Sequence, residues 1–176
     1  MRLMLRVIWL FSVAFALLPG CAPPILNRPA PHFALPLISG GKGTISNHSL
    51  KGKPTVINFW ASWCGPCALE LPAFDDVATR YKGRVNFVAI ATSDSIAAAL
   101  KLVHDNHIRM PVAFEEGDKI ANLFGTTNLP TTIILDERGY VVDRLNGAVA
   151  ADTLIDIIEN TLRTVARRRA KHSKER

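Results

Sequence analysis

The apolar run Thr55-Val56-Ile57-Asn58-Phe59-Trp60 leads almost directly into Trp63-Cys64-Gly65-Pro66-Cys67, and the residues that follow can form a helix. A strand, a Cys-x-x-Cys pair and a helix in immediate succession make a redox-site pattern, and they commit this part of the chain to a β-α unit. The first N–H groups of a helix have no intrahelical partner, and the aligned peptide dipoles favour negative charge there. A cysteine at that position holds its thiolate more easily, and the thiolate is the nucleophile. Pro66 suits the first helical turn, where its missing N–H is not needed. Cys64 is therefore expected to be the exposed attacking sulfur and Cys67, one turn on, the resolving one.

Trp63-Cys64-Gly65-Pro66-Cys67 resembles the active-site signature of thioredoxin-like proteins, and the resemblance runs from about Pro31 to Thr164. It is closer to one branch, the membrane-tethered periplasmic TlpA/ResA-like thiol-disulfide oxidoreductases. Asn58 stands six residues before Cys64, where cytosolic thioredoxins place a buried Asp, and Glu70-Leu71-Pro72 follows Cys67 at the offset of that branch's active-site Glu. Leu129-Pro130-Thr131-Thr132 matches the later proline motif. The resemblance implies an α/β, thioredoxin-like fold, with a central mixed β-sheet flanked by helices and an N-terminal β-hairpin extension. It implies a redox disulfide between Cys64 and Cys67, and Glu70 as their proton-handling group. It implies a cis bond before Pro130, and substrate binding by Trp63, Gly65, Pro66, Leu129 and Pro130, with the Leu129 backbone pairing to substrate main chain. It brings no cofactor and no metal.

The 176-residue chain has room for one domain plus extensions. Its formal net charge of +6 is unevenly spread. Arg2 and Arg6 contribute two charges. Residues 163–176 hold seven Lys/Arg against one Glu, which leaves residues 7–162 with a net −2. The folded part is not basic, so the high pI is no argument for a nucleic-acid partner.

Residues 1–21 read as an export signal: Arg2 and Arg6, then an apolar run from Val7 to Leu18 interrupted only by Ser12. The run is short for a membrane span, which needs ~20 residues. Leu17-Leu18-Pro19-Gly20-Cys21 looks like a lipoprotein cleavage site, which would make Cys21 a lipidated N-terminus. A plain cleaved signal and an uncleaved anchor are the alternatives. Export places the domain where disulfides persist. Apart from Cys21, only Cys64 and Cys67 remain, so the pair reads as a working couple rather than a structural staple.

Residues 22–31 read as a Pro-rich spacer, extended and unpacked. Residues 32–164 read as the thioredoxin-like domain. Phe33-Ala34-Leu35 and Gly43-Thr44-Ile45 are candidate strands split by the turn cluster Ser39-Gly40-Gly41. After the first helix, with Leu69, Phe74 and Val77 as core candidates and Pro72 as a kink, come a strand at 84–90 and a helix from Ile96. That helix is capped by Ser93 or Asp94, and Ile96, Leu100, Val103 and His107 recur along it. Val112-Ala113-Phe114 and residues 118–124 suggest a short strand and a short helix. A hairpin is expected at 131–142, with its turn at Asp136-Glu137-Arg138-Gly139. A last helix from Asp152 presents Leu154, Ile155, Ile157, Ile158 and Leu162. Residues 165–176 read as a basic disordered tail.

The expected activity is disulfide exchange, most simply as a periplasmic reductase of disulfide-bearing exported proteins such as apocytochrome c. A transmembrane thiol-transfer protein would supply the electrons, and the membrane would be reached through lipid or an N-terminal anchor. Gly-Pro between the cysteines is the thioredoxin-like choice, which goes with a low potential, near −270 mV in thioredoxin itself. A structural zinc wants four ligands, and no second cysteine pair exists. A thiol peroxidase on this fold is the first alternative, but the segment before Cys64 lacks the Thr it requires. A copper-binding module is the second, but a copper carrier of this fold has a wider Cys spacing and a matching distal His, which this sequence does not show.

Overall fold

The computed structural model describes residues 25–175. The expected export signal at 1–21, lipidation at Cys21 and the first residues of the spacer lie outside them. At the centre is β3 (Thr55–Trp60), with all six residues buried. It pairs in parallel with β4 (Asn86–Ala91) and antiparallel with β6 (Thr131–Leu135). β5 (Val112–Phe114) adds in parallel beyond β4, and β7 (Val141–Asn146) adds antiparallel beyond β6. β1 (Ala34–Ser39) and β2 (Thr44–Ser46) form the N-terminal hairpin, and β1 closes the sheet against β5. The order is β2-β1-β5-β4-β3-β6-β7. Flanking it are α1 (Asn47–Leu50), α2 (Gly65–Arg80), α3 (Ile96–Asp105), α4 (Lys119–Leu123) and α5 (Ala151–Lys174). This is the expected mixed sheet flanked by helices, hairpin included.

Side-chain alternation divides β3 between two cores. Val56 and Trp60 join Leu71, Phe74, Val77, Leu154 and Ile158, beneath α2 and α5. Ile57 and Phe59 join Phe33, Phe124 and Ile133 on the other face. Asn58, between Ile57 and Phe59, therefore faces α2. That one alternation sets the amide beneath the redox helix.

Several expectations are corrected. The buried face of α2 runs through Cys67, Glu70, Leu71, Phe74 and Val77, whereas Leu69 is 84% exposed. Leu69 lies a half-turn or so off the i, i+3, i+4, i+7 stripe that starts at Cys67. Pro72 sits inside α2 without ending it. The face of α3 buries Ala99 and Val103 and leaves Ile96 and Leu100 partly in solvent, 47% and 38% exposed. Its cap is Ser95, whose hydroxyl accepts the N–H of Ala98. The spacer is hydrogen-bonded to the sheet from Asn27 onward rather than free: Asn27 N–H donates to Val141 O at 2.8 Å, and Ala30 N–H donates to Gly139 O at 2.8 Å. The basic tail is helical rather than disordered, because α5 runs through to Lys174. Val165 still packs in the core, and the next turn is held by Arg168, whose Nη1 lies 2.6 Å from Asp136 Oδ2.

Candidate active site

The redox segment starts where β3 ends. Cys64 N–H donates to Ala61 O, and Ala68 N–H donates to Cys64 O, so Cys64 is the residue at which the turn becomes helix. It is the N-cap of α2, and Cys67 N–H points at its Sγ at 3.3 Å. One helix N–H thus aims at the Cys64 sulfur, as the sequence pattern leads one to expect. Cys64 and Cys67 are disulfide-bonded. Cys67 is fully buried, and Cys64 keeps 6% of its surface. The expected exposed sulfur is therefore exposed only relative to its partner: in the disulfide, one narrow side of Cys64 faces solvent.

The loop between β4 and α3 clamps this turn. Asp94 accepts Ser62 N–H at 2.5 Å and the Ser62 hydroxyl at 2.8 Å. Trp63 Nε1–H donates to Ser93 O at 2.8 Å, which pins the indole while leaving it 65% exposed. Ser93 itself has φ 51°. Asp94 in this clamping role was not legible beforehand; a short acidic side chain beside the cap residue reads equally well as a helix cap.

Beneath the cysteines lies a polar group in an apolar setting. Glu70 is buried, and it accepts Asn58 Nδ2–H at 2.8 Å on Oε1 and Val149 N–H at 2.7 Å on Oε2. Asn58 also donates to Thr132 Oγ1 at 3.2 Å. Burial pushes the Glu70 carboxyl above the usual carboxylate range, and the two N–H donors only partly offset it. Thr132 lies in the later proline motif, but its contact with Asn58 has no spacing signal, and Val149 carries no sequence signal at all.

The Leu129–Pro130 bond is cis. Pro130 O accepts Gly147 N–H at 2.8 Å, which fixes the loop to the end of β7, and Thr131 Oγ1 donates to Asn128 O at 2.7 Å. No backbone partner for Leu129 is found among the described residues. His104 and His107 do not share a helix face, because α3 ends at Asp105 and His107 turns to φ 53°.

Known proteins resemble this chain in sequence and in fold. The thiol-disulfide oxidoreductase ResA of Bacillus anthracis is 32% identical over 162 residues, covering 87% of this chain and 92% of that protein. The thiol:disulfide interchange protein DsbE of Pseudomonas fluorescens biotype C is 34% identical over 127 residues, covering 71% of this chain and 68% of that protein. Among solved structures, a putative thiol:disulfide interchange protein DsbE from Chlorobium tepidum superimposes with a TM-score of 0.71 at 28% identity, over 78% of this chain and 97% of that one. The AhpC/TSA family pattern matches residues 26–144. With the Cys64–Cys67 pair at the mouth of α2, the chain belongs to the AhpC/TSA family and is a thiol-disulfide oxidoreductase of the ResA/DsbE type.

Proposed function

We propose that this chain reduces disulfides in exported proteins from a position tethered at the outer face of a bacterial membrane, with apocytochrome c as one substrate. The observation that carries the direction of attack is the Cys67 N–H aimed at Cys64 Sγ at the start of α2. In the reduced protein that N–H and the helix dipole favour a Cys64 thiolate. The thiolate attacks one sulfur of the substrate disulfide, the other substrate sulfur leaves as thiolate, and a mixed disulfide forms on Cys64. Cys67 then loses its proton and attacks Cys64 Sγ, which expels the second substrate sulfur. The substrate gains two electrons and the Cys64–Cys67 pair loses two. A membrane thiol-transfer donor returns them.

Glu70 takes the proton of Cys67. A carboxyl held above its usual range by burial is matched to that task better than a solvated one. Trp63, Gly65 and Pro66 form the surface around Cys64, and the unpaired backbone of Leu129 beside cis-Pro130 is positioned to pair with substrate main chain. The apolar run before Cys21 supports export and tethering; no helix among the described residues is long and apolar enough to cross a membrane. Gly-Pro between the cysteines supports reduction over oxidation.

Glu70→Gln separates this role from packing. The variant is expected to slow release of the mixed disulfide by roughly 100-fold, and to flatten its pH dependence. Stability should move the other way. Because the folded protein holds the Glu70 proton more tightly than the unfolded chain, ionisation costs stability as pH rises through the folded value. Glu70→Gln is therefore expected to unfold at higher urea than the parent at neutral pH. Unchanged stopped-flow release rates would remove Glu70 from the mechanism. Trapping partners on a Cys67→Ala variant in cells, followed by mass spectrometry, tests the substrate class; peroxide consumption at rates above those of free thiols would favour the peroxidase reading instead.

A further inference from the structure

The end of the sheet opposite Cys64 carries a charge pattern that disulfide exchange does not use. Cys64 follows the Trp60 end of β3, while the turn at 136–139 lies at the Thr55 end, where Leu135 pairs with Thr55. α5 has 24 residues, about 36 Å at 1.5 Å per residue. Its last core side chain is Val165. Arg168 fastens the next turn to Asp136, and Arg169 Nη2 donates to Gly52 O at 3.1 Å. Residues 169–175 are exposed throughout.

These final turns have no apolar face, yet they hold Arg167, Arg169, Lys171, His172 and Lys174. Arg167 with Lys171, and Lys171 with Lys174, stand at helical spacings where like charges repel. Glu175 offers partial relief, 4.0 Å from Lys171. Asp136 is already occupied by Arg138 and Arg168. The groove beside them, of about 720 Å³, is lined by Glu137, Arg138, Arg168, Arg169, Lys171 and His172 among others. Residues 7–162 are net negative, so this basic cluster is local rather than a property of the whole surface.

The N-terminal segment arrives at the same end. Asn27 and Ala30 hydrogen-bond to Val141 and Gly139, and Pro29 bridges to Tyr140, all at or next to the 136–139 turn. The segment that precedes residue 25 in sequence is the apolar export run. One end of the domain thus gathers both the connection to that run and the exposed cations.

We propose that the last turns of α5, with Arg138 and the 136–139 turn, form a docking surface for the anionic lipid headgroups of the bilayer that holds the tether. The domain then stands on its basic end, with Cys64 and Trp63 facing away from the lipid toward soluble substrates. The proposal rests on the tethered reading given above. Each Lys or Arg brought against an anionic bilayer raises the partition coefficient about five-fold. The three side chains Arg167, Lys171 and Lys174 are exposed and away from the redox site, so they can be altered without touching either Asp136 or the cysteines.

The test uses the full chain and its R167Q/K171Q/K174Q variant. Both are sedimented with neutral phosphatidylcholine vesicles and with vesicles containing phosphatidylglycerol, at lipid concentrations where the neutral vesicles hold half the protein. Neutral vesicles, and about 1 M salt, which screens charges more than about 3 Å apart, report the tether alone. The expected result is tighter partition into the anionic vesicles, a preference lost in high salt and reduced roughly 100-fold by the variant. The variant should keep the parent's melting temperature and insulin-reductase rate. Equal partition into both vesicles, a variant that keeps the anionic preference, or equal binding to any soluble polyanion such as heparin without preference between vesicles, overturns the proposal. Failure to sediment with neutral vesicles at any lipid concentration would instead count against the tether, while the salt-sensitive preference would still report on the basic end.

Discussion

Cys64→Ser is expected to reduce insulin no faster than the reductant supplied with it, a fall of roughly 1000-fold or more from the parent. The serine hydroxyl at the mouth of α2 would still accept the N–H of residue 67, so the fold should persist and the loss should be chemical. Cys67→Ser should behave differently. Its Cys64 still attacks, so one equivalent of substrate is captured, but nothing displaces it. Multiple turnover falls about as far, and a mixed disulfide accumulates that gel mobility or mass spectrometry can count. Equal turnover in Cys64→Ser and parent would end the assignment of nucleophile. Capture by Cys67 rather than Cys64 would reverse the two roles.

The largest stability effect is expected far from the cysteines. Asp136 is buried at the β6–β7 turn, where it accepts Arg138 N–H and Tyr140 N–H at 3.0 Å on Oδ1. Its Oδ2 faces Arg138 Nη2 at 2.8 Å and Arg168 Nη1 at 2.6 Å. Removing one partner of a buried ion pair costs about 3–5 kcal/mol, and the half-exposed guanidinium groups place Asp136→Ala near the lower figure, about 3 kcal/mol. For a chain of this size that lowers the melting temperature by on the order of 10 °C. Burial alone would raise the Asp136 carboxyl, but the Tyr140 N–H and the two arginines hold it below the usual carboxylate range. Its contribution is therefore complete above the unfolded carboxylate value and disappears as pH falls through the lower, folded one. Urea unfolding of parent and variant should differ most at neutral pH and converge in strong acid. A gap that stays constant down to the acid limit would show that the ion pair is not its source.

The redox site could be read from sequence because its chemistry is local. Cys64, Gly65, Pro66 and Cys67 lie within one turn, and a strand ending at Trp60 leaves little choice about where that turn sits. The supports of the site could not be read. Asp94 reaches Ser62 across 32 positions, Thr132 reaches Asn58 across 74, and Val149 reaches Glu70 across 79. None of these contacts has a spacing rule. The phase of α2 differs from the expected one for a related reason: apolarity favours Leu69, while the face that packs includes the polar Glu70. The last helix did carry a usable signal. Leu154, Ile158, Thr161 and Val165 continue one stripe past residue 164, and Arg168 follows one turn later. Counting charge alone hid that stripe behind the basic run.

The account depends on a helix mouth that lowers the cost of ionising one sulfur. The direct measurement is the rate of iodoacetamide alkylation at each cysteine of the fully reduced protein as a function of pH, resolved by peptide mass spectrometry. The account predicts that Cys64 reacts first, with a titration midpoint well below the value of about 8.5 for a free cysteine. A Cys64 midpoint at or above that value, or a Cys67 that alkylates first, would contradict it.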